Sequence, residues 1–157
     1  MSGIKPGSER VVIHSTTGII KGFLERSPIH GVEDLLTQTE RRLPDTLKIF
    51  DPESSDVRSI PLCEAKAVFF VRSFEGKGHH KDLKFYSNAP IVHGIWVQLE
   101  FKDGETIEGI VYNSVHHLIE PGFFLIPTDP NGNNSLVYVI KASLKQYRVL
   151  GVRQLQD

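Results

Sequence analysis

The sequence predicts a mostly β protein: two tandem five-stranded small barrels of the SH3 and Sm class, related by internal duplication, with a short helical insertion in the first. Three observations lead there. A pair of β-rich runs around a glycine-containing turn occurs near the start and again from Ile95 onward. The segments that follow the two pairs align at a constant spacing. Each half then ends in a strand, a tight run and a final strand, an ending that suits a small closed barrel.

Residues 1–9 (MSGIKPGSE) are rich in Gly, Ser and Pro, have little to bury and read as a flexible N-terminal arm. The first barrel is expected over 10–73. Val11-Val12-Ile13-His14-Ser15, a turn at Thr16-Thr17-Gly18, and Ile19-Ile20-Lys21-Gly22-Phe23-Leu24 make a hairpin with strands near 10–15 and 19–25. Gly22 falls mid-strand, where glycine marks a bulge or a sharp bend. In Arg26–Thr46, Val32, Leu35 and Leu36 stand at i, i+3 and i+4, the spacing of one or two helical turns. Further strands are expected at 47–51, 56–61 and 67–73, with Pro61-Leu62-Cys63-Glu64-Ala65 as the tight run. Residues 74–94 form a linker, packed in part because Phe74, Phe85 and Tyr86 are too apolar for a free tether.

The second barrel is expected over 95–152, with strands at 95–101, 105–112, 122–127, 135–140 and 145–150. In its first strand Trp96, Gln98 and Glu100 share one face and Ile95, Val97, Leu99 and Phe101 the other, so one face is buried and one is wet. Asp103-Gly104 supplies the turn, and Lys141-Ala142-Ser143-Leu144 is the second tight run. Leu47 to Pro52 aligns with Leu125 to Pro130 at an offset of 78, which sets Ile60 against Tyr138 and Phe69 against Tyr147. Gly22 meets Gly109 at an offset of 87, so the first half carries nine extra residues within 26–46.

Composition narrows the function classes. Of the 157 residues 39% are apolar and 24% charged, enough apolar material for one ordinary domain or two very small ones. Eighteen Lys and Arg against 19 Asp and Glu give a net charge of -1, unlike a dedicated non-specific binder of nucleic acid or anionic membrane. One cysteine, Cys63, excludes an internal disulfide and a multi-thiolate zinc site. No apolar run reaches transmembrane length and the N-terminus lacks a signal-peptide core, so the expected location is the cytoplasm.

Catalytic constellations do not assemble from these residues. The seven histidines include the pairs His79-His80 and His116-His117, but adjacent histidines chelate poorly in a strand and no HExxH or HxH spacing occurs. Cys63 reads as a buried small hydrophobe, and Asp103, Glu105 and Glu108 as a solvated hairpin tip. Asp129 to Asn134 lacks the ligand spacing of a calcium loop, and there is no GxGxxG or GxxxxGK[ST] loop for phosphate. No metal and no cofactor is expected.

Two groups remain as candidate binding residues. In the linker, Lys77, His79, His80, Lys81 and Lys84 lie beside Phe85 and Tyr86, an interleaving of cations and rings that can hold single-stranded nucleic acid. Trp96 falls on the polar face of its strand. Phe123-Phe124 puts one ring on each face, which makes Phe124 a candidate for an exposed docking aromatic; packing of one half on the other would cover the same rings.

The strings Lys66 to Gly76 (KAVFFVRSFEG), Val97 to Gly109 (VQLEFKDGETIEG) and Pro121 to Pro130 (PGFFLIPTDP) with Asn133-Asn134 resemble an uncharacterised bacterial family of small β-barrel proteins, over most of Val11–Leu150. The resemblance implies an Sm-like or SH3-like fold for each half and a bacterial source; it implies no activity, cofactor or catalytic residue. The loop Asn113–Pro121 departs from Sm-type RNA binders in holding neither Arg nor Lys. The expected function is a non-enzymatic binding or adaptor module that engages a protein partner through barrel loops or an open strand edge. The alternative is an RNA- or nucleotide-binding Sm-like protein that uses the basic linker and barrel loops.

Overall fold

Ten β-rich runs in the sequence become ten strands: β1 (Glu9–Ser15), β2 (Gly18–Leu24), β3 (Thr46–Asp51), β4 (Asp56–Pro61), β5 (Ala65–Val71), β6 (Gly94–Phe101), β7 (Thr106–Val111), β8 (Gly122–Pro127), β9 (Asn134–Ile140) and β10 (Leu144–Arg153). The structure is a computed structural model that describes residues 7–30, 42–74, 94–111, 119–128 and 132–153. The tight runs are single 3-10 turns, Leu62–Glu64 between β4 and β5 and Lys141–Ser143 between β9 and β10. The expected helical insertion has no counterpart among the described elements, and its residues Val32, Leu35 and Leu36 lie outside the described residues.

The strands do not close into two barrels. They form one open antiparallel sheet in the order β10-β6-β7-β8-β9-β5-β1-β2-β3-β4. The order within each half is the same, β5-β1-β2-β3-β4 and β10-β6-β7-β8-β9, but in neither half does the fifth strand pair with the fourth. Instead β5 pairs with β9 of the other half, setting Ala67 opposite Val139, Val68 opposite Tyr138, Phe69 opposite Val137 and Phe70 opposite Leu136.

The reason lies in the two sequences. β5 (AKAVFFV) and β9 (NSLVYVI) are apolar on both faces, and every residue of Ala67–Val71 and Leu136–Ile140 is buried. A barrel wall needs one wet face; strands apolar on both faces belong at the centre of a sheet covered on both sides. Val68, Phe70, Leu136 and Tyr138 join Val11, Ile13, Leu24, Leu47 and Ile49 in a cluster on one face. Ala67, Phe69, Val137 and Val139 join Val97, Leu99, Phe101, Phe123 and Leu125 in a cluster on the other.

Register also revises the alignment of the halves. Leu24 pairs with Ile49 and Val111 with Leu125, so Leu125 answers Ile49, 76 residues apart. Leu47 pairs with Ile60 and Phe123 with Val139, so Val139 answers Ile60, 79 residues apart. Ile13 pairs with Val68 and Leu99 with Tyr147, which again gives 79. The constant offset of 78 is therefore out of step with the ladders, and a slip of one residue in a strand exchanges its faces.

Gly22 and Gly109 mark neither a bulge nor a break in register; both lie in continuous ladders. They are close approaches. A Cβ on Gly22 would stand 2.6 Å from the Phe50 carbonyl oxygen, and one on Gly109 would meet the Ile126 carbonyl oxygen. A backbone oxygen in a ladder cannot move aside. Gly22→Ala is therefore expected to cost about 1–3 kcal/mol in urea unfolding. Gly151→Ala, where the added carbon would lie 3.9 Å from Trp96, should stay within about 0.5 kcal/mol of the parent. A fragment of residues 1–74 removes β9 from β5 and bares Phe69 and Val71. It should show neither cooperative unfolding nor dispersed amide resonances, whereas the full chain unfolds in one transition.

Candidate functional site

At one end of the sheet, four turns surround a groove of about 370 Å³. The β1–β2 turn brings Ser15 and Thr16, the first 3-10 turn Cys63 and Glu64, the β6–β7 turn Lys102 and Asp103, and the second 3-10 turn Ala142 and Ser143. Each 3-10 turn is tied to the hairpin of its own half. Thr16 N donates to Glu64 O at 3.1 Å and Lys102 N to Ser143 O at 2.9 Å. The side chain of Ser143 also crosses between halves, its Oγ donating to Lys66 O at 2.9 Å.

Lys66 is the centre of the charge here. Its Nζ donates to Asp103 Oδ2 at 2.8 Å and to Glu105 Oε1, and stands 4.5 Å from the centroid of the Phe101 ring. The β6–β7 turn presents both acids because Gly104 adopts φ +94° and Asp103 Oδ1 accepts a hydrogen bond from Glu105 N at 3.0 Å. Burial alone would lower the Lys66 pKa. The hydrogen bonds from its ammonium to Asp103 and Glu105 outweigh that and raise it. The same bond to Lys66 holds the Asp103 carboxyl below its ordinary range. His14, on the neighbouring strand with its ring 4.8 Å from Phe69, is shifted down by burial, against the pull of Glu105. A lysine held protonated between two carboxylates is the opposite of an amine nucleophile. Its work is to fasten β5 of one half to the β6–β7 hairpin of the other.

Cys63 is exposed, not buried as the sequence suggested. The 3-10 turn points Leu62 inward at 3% exposure and leaves Cys63 and Glu64 outward. Among the described residues no group of three His, Cys, Asp or Glu could hold a metal ion. Among them, too, no helix is long and apolar enough to cross a membrane.

The second feature is the pair of sheet edges. β10 pairs only with β6 and β4 only with β3 among the described residues. Along β10, Val149, Leu150 and Val152 are exposed at 56%, 38% and 69%. Tyr147 packs its ring against Phe123 with centroids 5.9 Å apart. On β4, Asp56, Val57, Arg58 and Ser59 are all exposed and only Ile60 is buried.

The candidate aromatics lie elsewhere. Phe124 is buried, with its ring centroid 6.3 Å from that of Phe70 and 4.7 Å from that of Tyr138, so it is core shared by the two halves. Trp96 is half-buried on the same sheet face, opposite Ile110 and Gly151. Beside that core, Arg42 bridges Asp45 at 2.6 Å and Glu120 at 2.7 Å, and burial pushes the Tyr138 hydroxyl up to about 12. Lys77, His79, His80, Lys81 and Lys84 lie outside the described residues. Sequence reading passed over Lys66, although it is the one charge in an otherwise apolar strand. It also passed over Val149, Leu150 and Val152, whose exposure depends on which strand ends the sheet.

His14 provides a pH test of this end of the sheet. Its folded pKa lies below the ordinary 6.5. The unfolded chain therefore binds the proton first, and stability falls as pH drops below that value. His14→Gln should shrink the loss of urea stability between pH 7 and pH 5 relative to the parent. Asp103 acts lower: its contribution is present above 3.8 and disappears as pH falls through its depressed folded pKa.

No curated protein and no solved structure matches the chain. A family of unknown function, DUF6982, matches residues 7–151, and the chain belongs to that family.

Proposed function

We propose that this protein is a non-enzymatic binding module that takes an extended segment of a protein partner as an added strand on the β10 edge. The observation that carries this reading is the exposed apolar row Val149, Leu150 and Val152 on a ten-residue edge strand. An open edge presents a line of unpaired N–H and C=O groups, and proteins commonly blunt such edges with charge, bulges or short length. β10 is long, and although its ladder to β6 shifts register between Leu144 and Gln146 and again between Val149 and Gly151, it leaves Val149, Leu150 and Val152 exposed. Main-chain hydrogen bonds then supply affinity and side chains on alternate positions supply selectivity. Arg148 is exposed between Tyr147 and Val149, so the charge that an incoming strand sets opposite it tunes the affinity. The single cysteine, exposed and unbridged, suits a reducing cytoplasm.

The test is capture from cell lysate with nuclease present, using the parent and Val149→Lys/Val152→Lys. Both positions are exposed, so the variant should keep the parent's unfolding midpoint. The parent is expected to retain a stoichiometric protein, and the variant to retain at least about ten-fold less. Retained material that absorbs at 260 nm and is lost to nuclease, or retention unchanged by the variant, overturns the reading.

A further inference from the structure

We propose that the β10 edge pairs with β4 of a second copy of this chain, so that copies join head to tail. This rests on the reading of β10 as a strand-accepting edge and names its occupant. The join is already present once inside the molecule. The halves share one strand order, and the seam between them pairs the fifth strand of the first, β5, with the fourth strand of the second, β9. Among the described residues, what the sheet leaves open at its ends is the fourth strand of the first half, β4, and the fifth strand of the second, β10. A second copy set with its β4 against β10 repeats the internal seam.

The ladders carry the register across. Tyr147 answers Val68, and Val149 answers Phe70. Ile60 answers Val139, and so Val57 answers Leu136. Internally Phe70 faces Leu136, both buried at 4% and 1%. Between copies Val149 therefore faces Val57, and these are exposed at 56% and 52%. The exposed valines on the two edges are the counterparts of a buried pair. Arg148 falls opposite Arg58, with Asp56 on the diagonal, within reach of a long side chain. The like charges weaken the join and make it concentration-dependent. Because each copy offers one edge of each kind, the contact is heterologous and yields a ring or an open chain, not a two-fold dimer.

Sedimentation equilibrium of the full chain over a wide concentration range is the experiment, with unfolding midpoints as the check on folding. The parent is expected to associate beyond the monomer, and Val57→Lys to abolish association. Arg58→Glu alone, or Arg148→Glu alone, turns a like pair into an ion pair and should tighten association roughly five- to ten-fold. Arg58→Glu with Arg148→Glu opposes two glutamates and should lose that gain. A parent and single variants that stay monomeric at every concentration overturn the proposal, as does association in which the double variant keeps the gain of the singles. Val57→Lys leaves β10 intact. If self-association is absent while Val57→Lys still captures a lysate protein through Val149 and Val152, this inference fails and the strand-accepting edge stands. If Val149→Lys/Val152→Lys changes neither capture nor association, both fail.

Discussion

The ladder between β5 and β9 has to serve two cores at once. Val68 and Phe70 face Leu136 and Tyr138 on one side of the sheet, and Ala67 and Phe69 face Val137 and Val139 on the other. Burying a Val, Leu or Phe side chain is worth about 1.5–3 kcal/mol each. Two strands that hide five consecutive residues each are therefore costly to separate. Neither half can turn its fifth strand back on its own fourth without baring one of these faces. The open sheet follows from that, and so do the two edges it shows among the described residues.

The charges at the seam follow from the same ladder. β5 is apolar except for Lys66, which sits near its start, where the β6–β7 hairpin of the other half comes alongside. A cation there needs partners, and Asp103 and Glu105 supply them from a turn shaped by Gly104. Two exposed acids and one mostly covered lysine form a local fastening between the halves. The groove around it is lined by turns from both halves, and its shape depends on how the halves are held.

The ten strands, the two single helical turns and the Asp103-Gly104 hairpin were legible because each is local. Alternation of apolar residues, glycine at a turn and a three-residue break between strands depend on neighbours a few positions away. Phe124 shows the limit. Its neighbour Phe123 faces one core, and period two sends Phe124 to the other side, which reads as solvent if each half is a separate barrel. In the open sheet that side holds a second core, so the ring is buried against Phe70 and Tyr138. Cys63 fails in the reverse direction: a tight turn reads as packed, yet only Leu62 of its three residues points inward.

By itself the sequence indicated a mostly β chain and the ten strands to within about three residues at either end, since these depend on short-range pattern. β5 and β9 are apolar on both faces, but that pattern alone does not say what covers the second face. Only the tertiary structure decided that β5 pairs with β9 and not with β4. Strand pairing across more than sixty residues of chain is chosen by which arrangement buries both faces at once, and no local spacing encodes it. The same choice decided which strands became edges among the described residues, and with them which valines stand exposed there.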